Sequence, residues 1–293
     1  MARSPKRPNR FLTFGSILAL IWLGGVGILS VLAPVLSNVR DPNKLGPSYS
    51  KNYKVGPGWD FWFGSDKLGR DVFSRCIYGA QISLRVALGS IIVGLLVGGF
   101  LGLLAGYLRG KVDSAINVLL DVLLSFPALI LAILVVGRLD VLAENWTWLT
   151  RTWSVTIVLS LLSIAPIARI VRAQTLSLSE REFVLAARSL GASKWRIVGK
   201  EILPNLVPAM VSVAFTGVAV LMVAEGGLAF LGYSVKSPTS SWGKLIAENR
   251  EKFNDGAWWG TTFPALMLFF TVFAFNVIGD RFARRFDIRE AAL

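Results

Sequence analysis

The chain of 293 residues has no histidine and a single cysteine, Cys76. That excludes an intrachain disulfide, a Cys/His zinc site and any Ser-His-Asp or Cys-His nucleophile. Charge is scarce too, at 17% against 54% hydrophobic residues. With a mean hydropathy of +0.58, the chain is too apolar for a water-soluble globule. A Gly-x4-Gly-Lys-Ser/Thr phosphate loop is missing; the nearest run, Gly106 to Lys111, has the wrong spacing and lacks the hydroxyl. No catalytic residue, metal or cofactor is therefore expected, and the chain is not expected to hydrolyse ATP itself. Acids number 18 against 31 bases, a net charge of +13. Such an excess points to nucleic acid only when the bases gather on one soluble face, and here they do not.

Long apolar runs are abundant. A spanning helix needs about 20 mostly apolar residues to cross roughly 30 Å of hydrocarbon. Six stretches qualify, near Phe11–Ala33, Ile82–Tyr107, Ala115–Val136, Trp153–Val171, Leu206–Leu228 and Thr261–Phe282. Backbone amides in lipid must be satisfied within the segment, so all six are expected to be helical. The first follows Arg3, Lys6, Arg7 and Arg10 and precedes Pro34. It is longer than a signal-peptide core and is read as a retained anchor.

Six spans put both termini on one side. Seventeen of the 31 bases fall on that side, seven of them between Arg169 and Lys200. The bias of short loops predicts cytoplasmic termini, so the excess basicity is a topology signal, helped by anionic headgroups. Eight of the ten tryptophans (Trp59, Trp62, Trp146, Trp148, Trp153, Trp242, Trp258 and Trp259) lie on the opposite side. They form either an interfacial belt or part of a docking surface for an extracytoplasmic partner.

Two features exceed what an anchor needs. Gly94, Gly98, Gly102 and Gly106 recur every fourth residue in the second span, with Ser90 extending the row. A stripe of small residues lets another helix backbone approach closely, within the chain or from a second subunit. The other feature is the polar connection Arg172–Leu203, patterned as two short helices. Ser179 and Glu182 have capping-box spacing, and Phe183, Ala186, Ala187 and Leu190 recur at helical spacing. Gly191 stands where a left-handed residue ends a helix, Ser193 is placed to cap a second helix Lys194–Glu201, and Pro204 opens the fifth span. Small residues rimmed by Arg181, Arg188, Lys194, Arg196 and Lys200 suit a groove on another protein. The same unit would also fold back on its own bundle or lie on anionic lipid.

The stretch Glu182-Phe-Val-Leu-Ala-Ala-Arg-Ser-Leu-Gly191 through Leu203-Pro-Asn205 resembles the EAA loop of ABC importer permeases. Ala186, Ala187, Gly191, Leu203 and Pro204 match in register, whereas Leu185 replaces the glutamate and Glu201 an isoleucine. Phe63–Arg75 with Tyr78–Leu84, then Gly106-Tyr107, Asp113, Asp121 and Phe126-Pro127, resemble the dipeptide/oligopeptide (DppC/OppC-like) branch. So do Ala224–Gly232, Ser241-Trp-Gly243 and Gly279-Asp280 with Arg284 and Asp287, although Ile288 stands where the family has proline.

The resemblance implies a type I ABC importer permease fold of six transmembrane helices with a cytoplasmic coupling helix. It implies an N-terminal helix and extracytoplasmic segment over 1–80, a permease domain over 81–283 with coupling helices at about 176–203, and a tail over 284–293. The implied partners are a homologous permease, ATP-binding subunits, an extracytoplasmic solute-binding protein and a peptide substrate. The implied ATPase-docking residues are Glu182, Phe183, Ala186, Ala187, Gly191, Ala192, Lys194 and Arg196. Relatives handling nickel, glutathione or other small solutes share the pattern.

Two acids near lipid are candidates for the translocation pathway, since an acid there normally faces a cavity or a partner. Glu225 either lines the route or pairs with a cation of a sister subunit, and Asp121 either lines it or forms a structural ion pair. Breaks at Gly226-Gly227 and at Pro204/Pro208 are expected to bend the fifth span. An ion-driven secondary transporter is the alternative class, but no internal repeat of the kind those proteins carry is found. A membrane hydrolase is a third class, but no convergent catalytic set is found, and pairing Asp121 with an acid of another span has no support in the sequence.

Overall fold

A computed structural model describes residues 13–36, 39–44, 55–144, 146, 149–253 and 255–290, the side chains of 252 and 286–290 excepted. The basic cluster Arg3 to Arg10, Trp148 and the Asp287 side chain lie outside this set. The described residues form ten α-helices. Four helices are long and apolar enough to cross a membrane by themselves: α1 (Phe14–Leu32), α2 (Val72–Leu108), α5 (Arg151–Ser179) and α10 (Trp259–Glu290). A fifth crossing is the continuous run Lys194–Phe230.

The predicted third span, Ala115–Val136, is two helices rather than one. α3 (Gly110–Ser125) and α4 (Ala128–Ala143) meet at 88°. Pro127 is the cause: a proline pushes the preceding residue out of the helical region, and Phe126 accordingly has ψ 135°. Counted as one broken span, the pair brings the total to six.

The second span starts ten residues before the predicted Ile82, because Asp71 caps it by accepting from the Ser74 amide at 2.9 Å. Its glycine row packs within the chain. Gly94 faces Ser163 and Ile167, Gly98 the Ile164 carbonyl, Gly102 that of Ala168, and Gly106 that of Arg172 with Thr175, all on α5. The Ser90 hydroxyl extends the seam, donating to the Thr156 carbonyl at 3.0 Å.

α1 lies on α10, where Trp22 Nε1 donates to Thr271 Oγ1 at 3.0 Å and Ala19 packs with Ala274 and Ile278. α8 (Leu203–Phe230) also packs on α10, with Ser212 Oγ donating to the Gly279 carbonyl at 3.0 Å. α8 runs through Gly226 and Gly227 without interruption, so these glycines do not break the span. Their role is close approach: Gly226 lies against Gly243 of the short helix α9 (Trp242–Asn249). α9 is wedged inside the bundle by Trp242, which is fully buried and donates from its indole to the Cys76 carbonyl at 2.9 Å.

Candidate functional site

The polar connection after α5 folds into a bent pair of arms. Ser179 does not cap the first arm. It is the last residue of α5, and its hydroxyl turns back to donate to the Leu176 carbonyl. Arg181, in extended conformation, precedes α6 (Glu182–Ser189) with no side-chain cap. The predicted capping box is therefore absent, because α5 extends eight residues beyond the predicted Val171 and absorbs the serine.

α6 buries Val184, half-buries Ala187, and leaves Glu182, Phe183, Ala186 and Leu190 exposed. Gly191 has φ +77°, and the turn closes with Ala192 N donating to Ala187 O and Gly191 N to Arg188 O, both at 3.0 Å. This paired closure is the Schellman motif that a glycine in the left-handed region permits. Ser193 caps the second arm, α7 (Lys194–Arg196), accepting from the Arg196 amide.

The second arm does not end at Glu201 as a separate helix. A π-helical turn over Ile197–Ile202 carries it into α8, with Pro204 in the first turn of that helix. Ile197 and Ile202 are buried and anchor the elbow to the bundle. Apolar Phe183, Ala186 and Leu190, the last 88% exposed, thus stand outward beside Arg188, Lys194 and Arg196. Trp195, 70% exposed on the second arm, is a surface residue that the sequence reading passed over. A lone aromatic in a polar stretch was its available signal.

The two pathway candidates are not brought together. Asp121 on α3 pairs with Arg169 on α5 at 2.5 Å, both side chains more than half exposed. Asp113, two turns earlier on the same helix, takes both Nε and Nη2 of Arg172 at 2.5 and 2.7 Å. Glu225 sits instead near the other end of α8. It is 1% exposed, its Oε1 accepting hydroxyl hydrogen bonds from Ser234 and, at 2.7 Å, Ser241. In this conformation it ties α8 to the segment leading into α9.

Beside it lies an ion cluster that sequence reasoning missed. Asp66 Oδ1 accepts from the Leu68 and Arg70 amides, which folds a tight turn between Gly64 (φ +74°) and Gly69 (φ +70°). Its Oδ2 faces Arg70 Nε at 2.7 Å and Arg75 Nη1 at 3.5 Å. Glu248 of α9 reaches Arg75 Nη2 at 3.2 Å. Lys244 Nζ, 3.8 Å from Glu248, donates to the Val235 carbonyl at 2.6 Å. Burial holds the Lys244 ammonium below the ordinary lysine range, against the opposing pull of Glu248. The cluster fastens the segment before α2 onto α9.

Five crossings and a broken sixth, a glycine-seamed helix pair and an outward elbow at one end define a multi-pass membrane permease with the type I importer fold. The same fold is seen in the MetNI methionine ABC transporter in inward-facing conformations. That chain matches with a TM-score of 0.59 at 19% identity, over 72% of this chain and 96% of its own length. The chain belongs to the family of binding-protein-dependent transport system inner membrane components, whose pattern matches residues 98–291. It is 32% identical over 265 residues to the dipeptide transport system permease protein DppC of Alkalihalophilus pseudofirmus, covering 90% of this chain and 83% of that one. A putative peptide permease of Brucella ovis is 33% identical, over 99% of this chain and 91% of its own. The glutathione transport system permease protein GsiD of Shigella flexneri is 40% identical over 229 residues, covering 78% and 72%.

Proposed function

We propose that this chain is one of two permease subunits of an ATP-driven importer of short peptides, and that the α6–α7 elbow is its coupling handle. The observation that carries the coupling reading is the exposed row Phe183, Ala186 and Leu190, held rigid by the Gly191 turn and rimmed by bases. A rigid helix seated in a cleft transmits rigid-body motion to the spans behind it. Ile197 and Ile202 form that connection here, because the second arm is continuous with α8. Glu182, Ala187, Ala192, Lys194 and Arg196 complete the docking surface.

The peptide reading rests on the relatives that are dipeptide, peptide and glutathione permeases. Glutathione is itself a short peptide, and the relative named for it has the higher identity over a shorter stretch, so it is the second substrate to test. The remaining partners in this reading are a homologous permease, separate ATPase subunits inside the cell and a solute-binding protein outside, with both termini cytoplasmic. Residues 1–80, 81–283 and 284–293 act as anchor with outer segment, permease domain and tail. Exposed Trp59 and Trp62 on the outer segment suit the contact with the binding protein. Asp121 and Glu225 act as an inner tie and an outer tie that the transport cycle remakes.

Ala186→Arg puts a bulky cation in the centre of the exposed row, and Gly191→Val forbids the left-handed turn. Each is expected to weaken ATPase binding about thirtyfold, the effect of one central interface residue, and to abolish uptake. Co-purification of the ATPase and uptake of labelled dipeptide by membrane vesicles measure both. Uptake at wild-type rates in either variant defeats the coupling assignment. Competition of dipeptide uptake by glutathione separates the two substrates.

A further inference from the structure

Between the ends of α2 and α5 and the two arms of the elbow lies a cavity of about 670 Å³. Its polar wall is cationic. Arg109, Arg188 and Lys194 face a single acid, Glu180, which Arg109 already engages at 2.8 Å. Neighbouring Arg169 and Arg172 are both neutralised by aspartates. Arg188 and Lys194 have no carboxylate partner among the described residues. Two unpaired cations thus border one half-open space.

The cavity does not end in polar surface. Tyr107, Leu108 and Lys194 are shared with a smaller groove of about 70 Å³, otherwise walled by Leu103, Leu104, Trp195 and Val198. From Leu108 an exposed apolar row continues along α2 through Phe100, Val97 and Val93, at helical spacing into the membrane span. Trp195, with its indole exposed beside the groove, is the side chain type that gathers at the lipid–water boundary. A basic chamber that opens into a hydrocarbon-lined groove fits an amphiphile with an anionic head.

We infer that this is a binding site for an anionic phospholipid, with the phosphate held between Arg188 and Lys194 and an acyl chain lying over Leu104 and Leu108. Basic pockets between transmembrane helices bind anionic headgroups on the cytoplasmic side. An inorganic phosphate would satisfy the cations but leave the apolar groove bare. A choline headgroup would add a like charge to a space that already holds too many. The inference borrows from the proposed function only the leaflet, which is the inner one if the elbow faces the cytoplasm. It requires neither a peptide substrate nor an ATPase on the outward face of α6.

The complete transporter, reconstituted in nanodiscs of phosphatidylcholine with a minor share of phosphatidylglycerol of the same acyl chains, tests this by native mass spectrometry. Phosphatidylglycerol is expected to remain bound once per copy of this chain, and phosphatidylcholine is not. Arg188→Ser is expected to weaken retention about fivefold, the effect of one basic residue near an anionic headgroup. Leu185→Glu places an acid on the same cavity wall and is expected to do at least as much, so it decides the matter if Arg188→Ser does not assemble. Inorganic phosphate is expected not to displace the lipid. Equal retention of the two lipids, unchanged retention in the assembled variants, or displacement by phosphate would each overturn the site. ATPase co-purification and dipeptide uptake are read on the same samples. In the wild-type transporter, absence of ATPase co-purification or of dipeptide uptake with the lipid bound counts against the coupling or substrate reading and leaves the lipid site standing.

Discussion

Gly98→Ala is expected to unseat α2 from α5. A methyl group there would lie 2.5 Å from the Ile164 carbonyl oxygen and 3.3 Å from the Ala168 nitrogen. Both are backbone atoms of α5, so no side-chain rotation relieves the clash and the helices must move apart. Overpacking of this kind costs about 1–3 kcal/mol. Because Gly94, Gly102 and Gly106 lie on the same seam, the displacement propagates along the contact. Gly98→Leu is accordingly expected to leave no folded chain to purify. Thermal melting of the alanine variant in detergent, and the yield of the leucine variant in membranes, measure the two effects. Gly24→Ala on α1, where nothing lies within 4 Å of the added methyl, is the control. It is expected to be neutral or slightly stabilising, since alanine is favoured over glycine within a helix. If Gly98→Ala melts with wild type and Gly24→Ala, the seam is not what holds these spans together.

Asp66→Ala is expected to be as damaging for a different reason. Arg75 is fully buried, and its Nε has no hydrogen-bond partner. Among the described residues its charge is compensated only by Asp66 at 3.5 Å and Glu248 at 3.2 Å. Removing one partner of a buried pair costs about 3–5 kcal/mol, because the remaining charge stays desolvated. The alanine also deletes the carboxylate that folds the turn at Leu68 and Arg70. Asp66→Asn keeps an oxygen for that turn and removes the charge together with the Oδ2 acceptor of Arg70 Nε, so it separates the ion pairing from the fold of the turn. The double variant Asp66→Asn/Arg75→Met is expected to recover much of the loss, and the double-mutant cycle in melting temperature measures the coupling. Additive single effects would mean that the two groups do not interact.

Glu225 shows where the sequence stops being sufficient. An acid beside Gly226-Gly227 near the end of an apolar run carries a strong signal that it has a partner, because lipid penalises a bare charge. Nothing in the linear pattern says whether that partner is solute, sister subunit or its own chain. Ser234 and Ser241 answer within the chain, at separations of nine and sixteen residues that no helical or strand periodicity links. The cluster around Arg75 is similar. Asp66 and Arg70 are four apart and readable as a local pair, whereas Glu248 is 173 residues from Arg75 and joins only because Trp242 wedges α9 into the bundle.

The elbow was more legible, and its two errors have one cause. Gly191 and Ser193 act through bonds to residues three to five positions away, so their roles follow from local spacing. Ser179 was misread because the capping pattern is equally local but α5 continues past it on packing energy: Val171, Thr175 and Leu178 are buried along that extension. The second arm runs on into α8 for the same reason, with Ile197 and Ile202 anchored in the core.

Hydropathy and residue spacing were enough by themselves to determine a helical membrane protein, its apolar segments, the small-residue stripe and a bent polar elbow, since each depends on neighbours within one or two turns. Tertiary structure alone decided that the stripe faces α5, that Phe126-Pro127 folds the third span through 88°, that Glu225 is enclosed and that a basic chamber lies behind the elbow. Those outcomes depend on which distant helices share a volume, and side chains hundreds of residues apart acquire a common dielectric and a common clash only once the chain has packed.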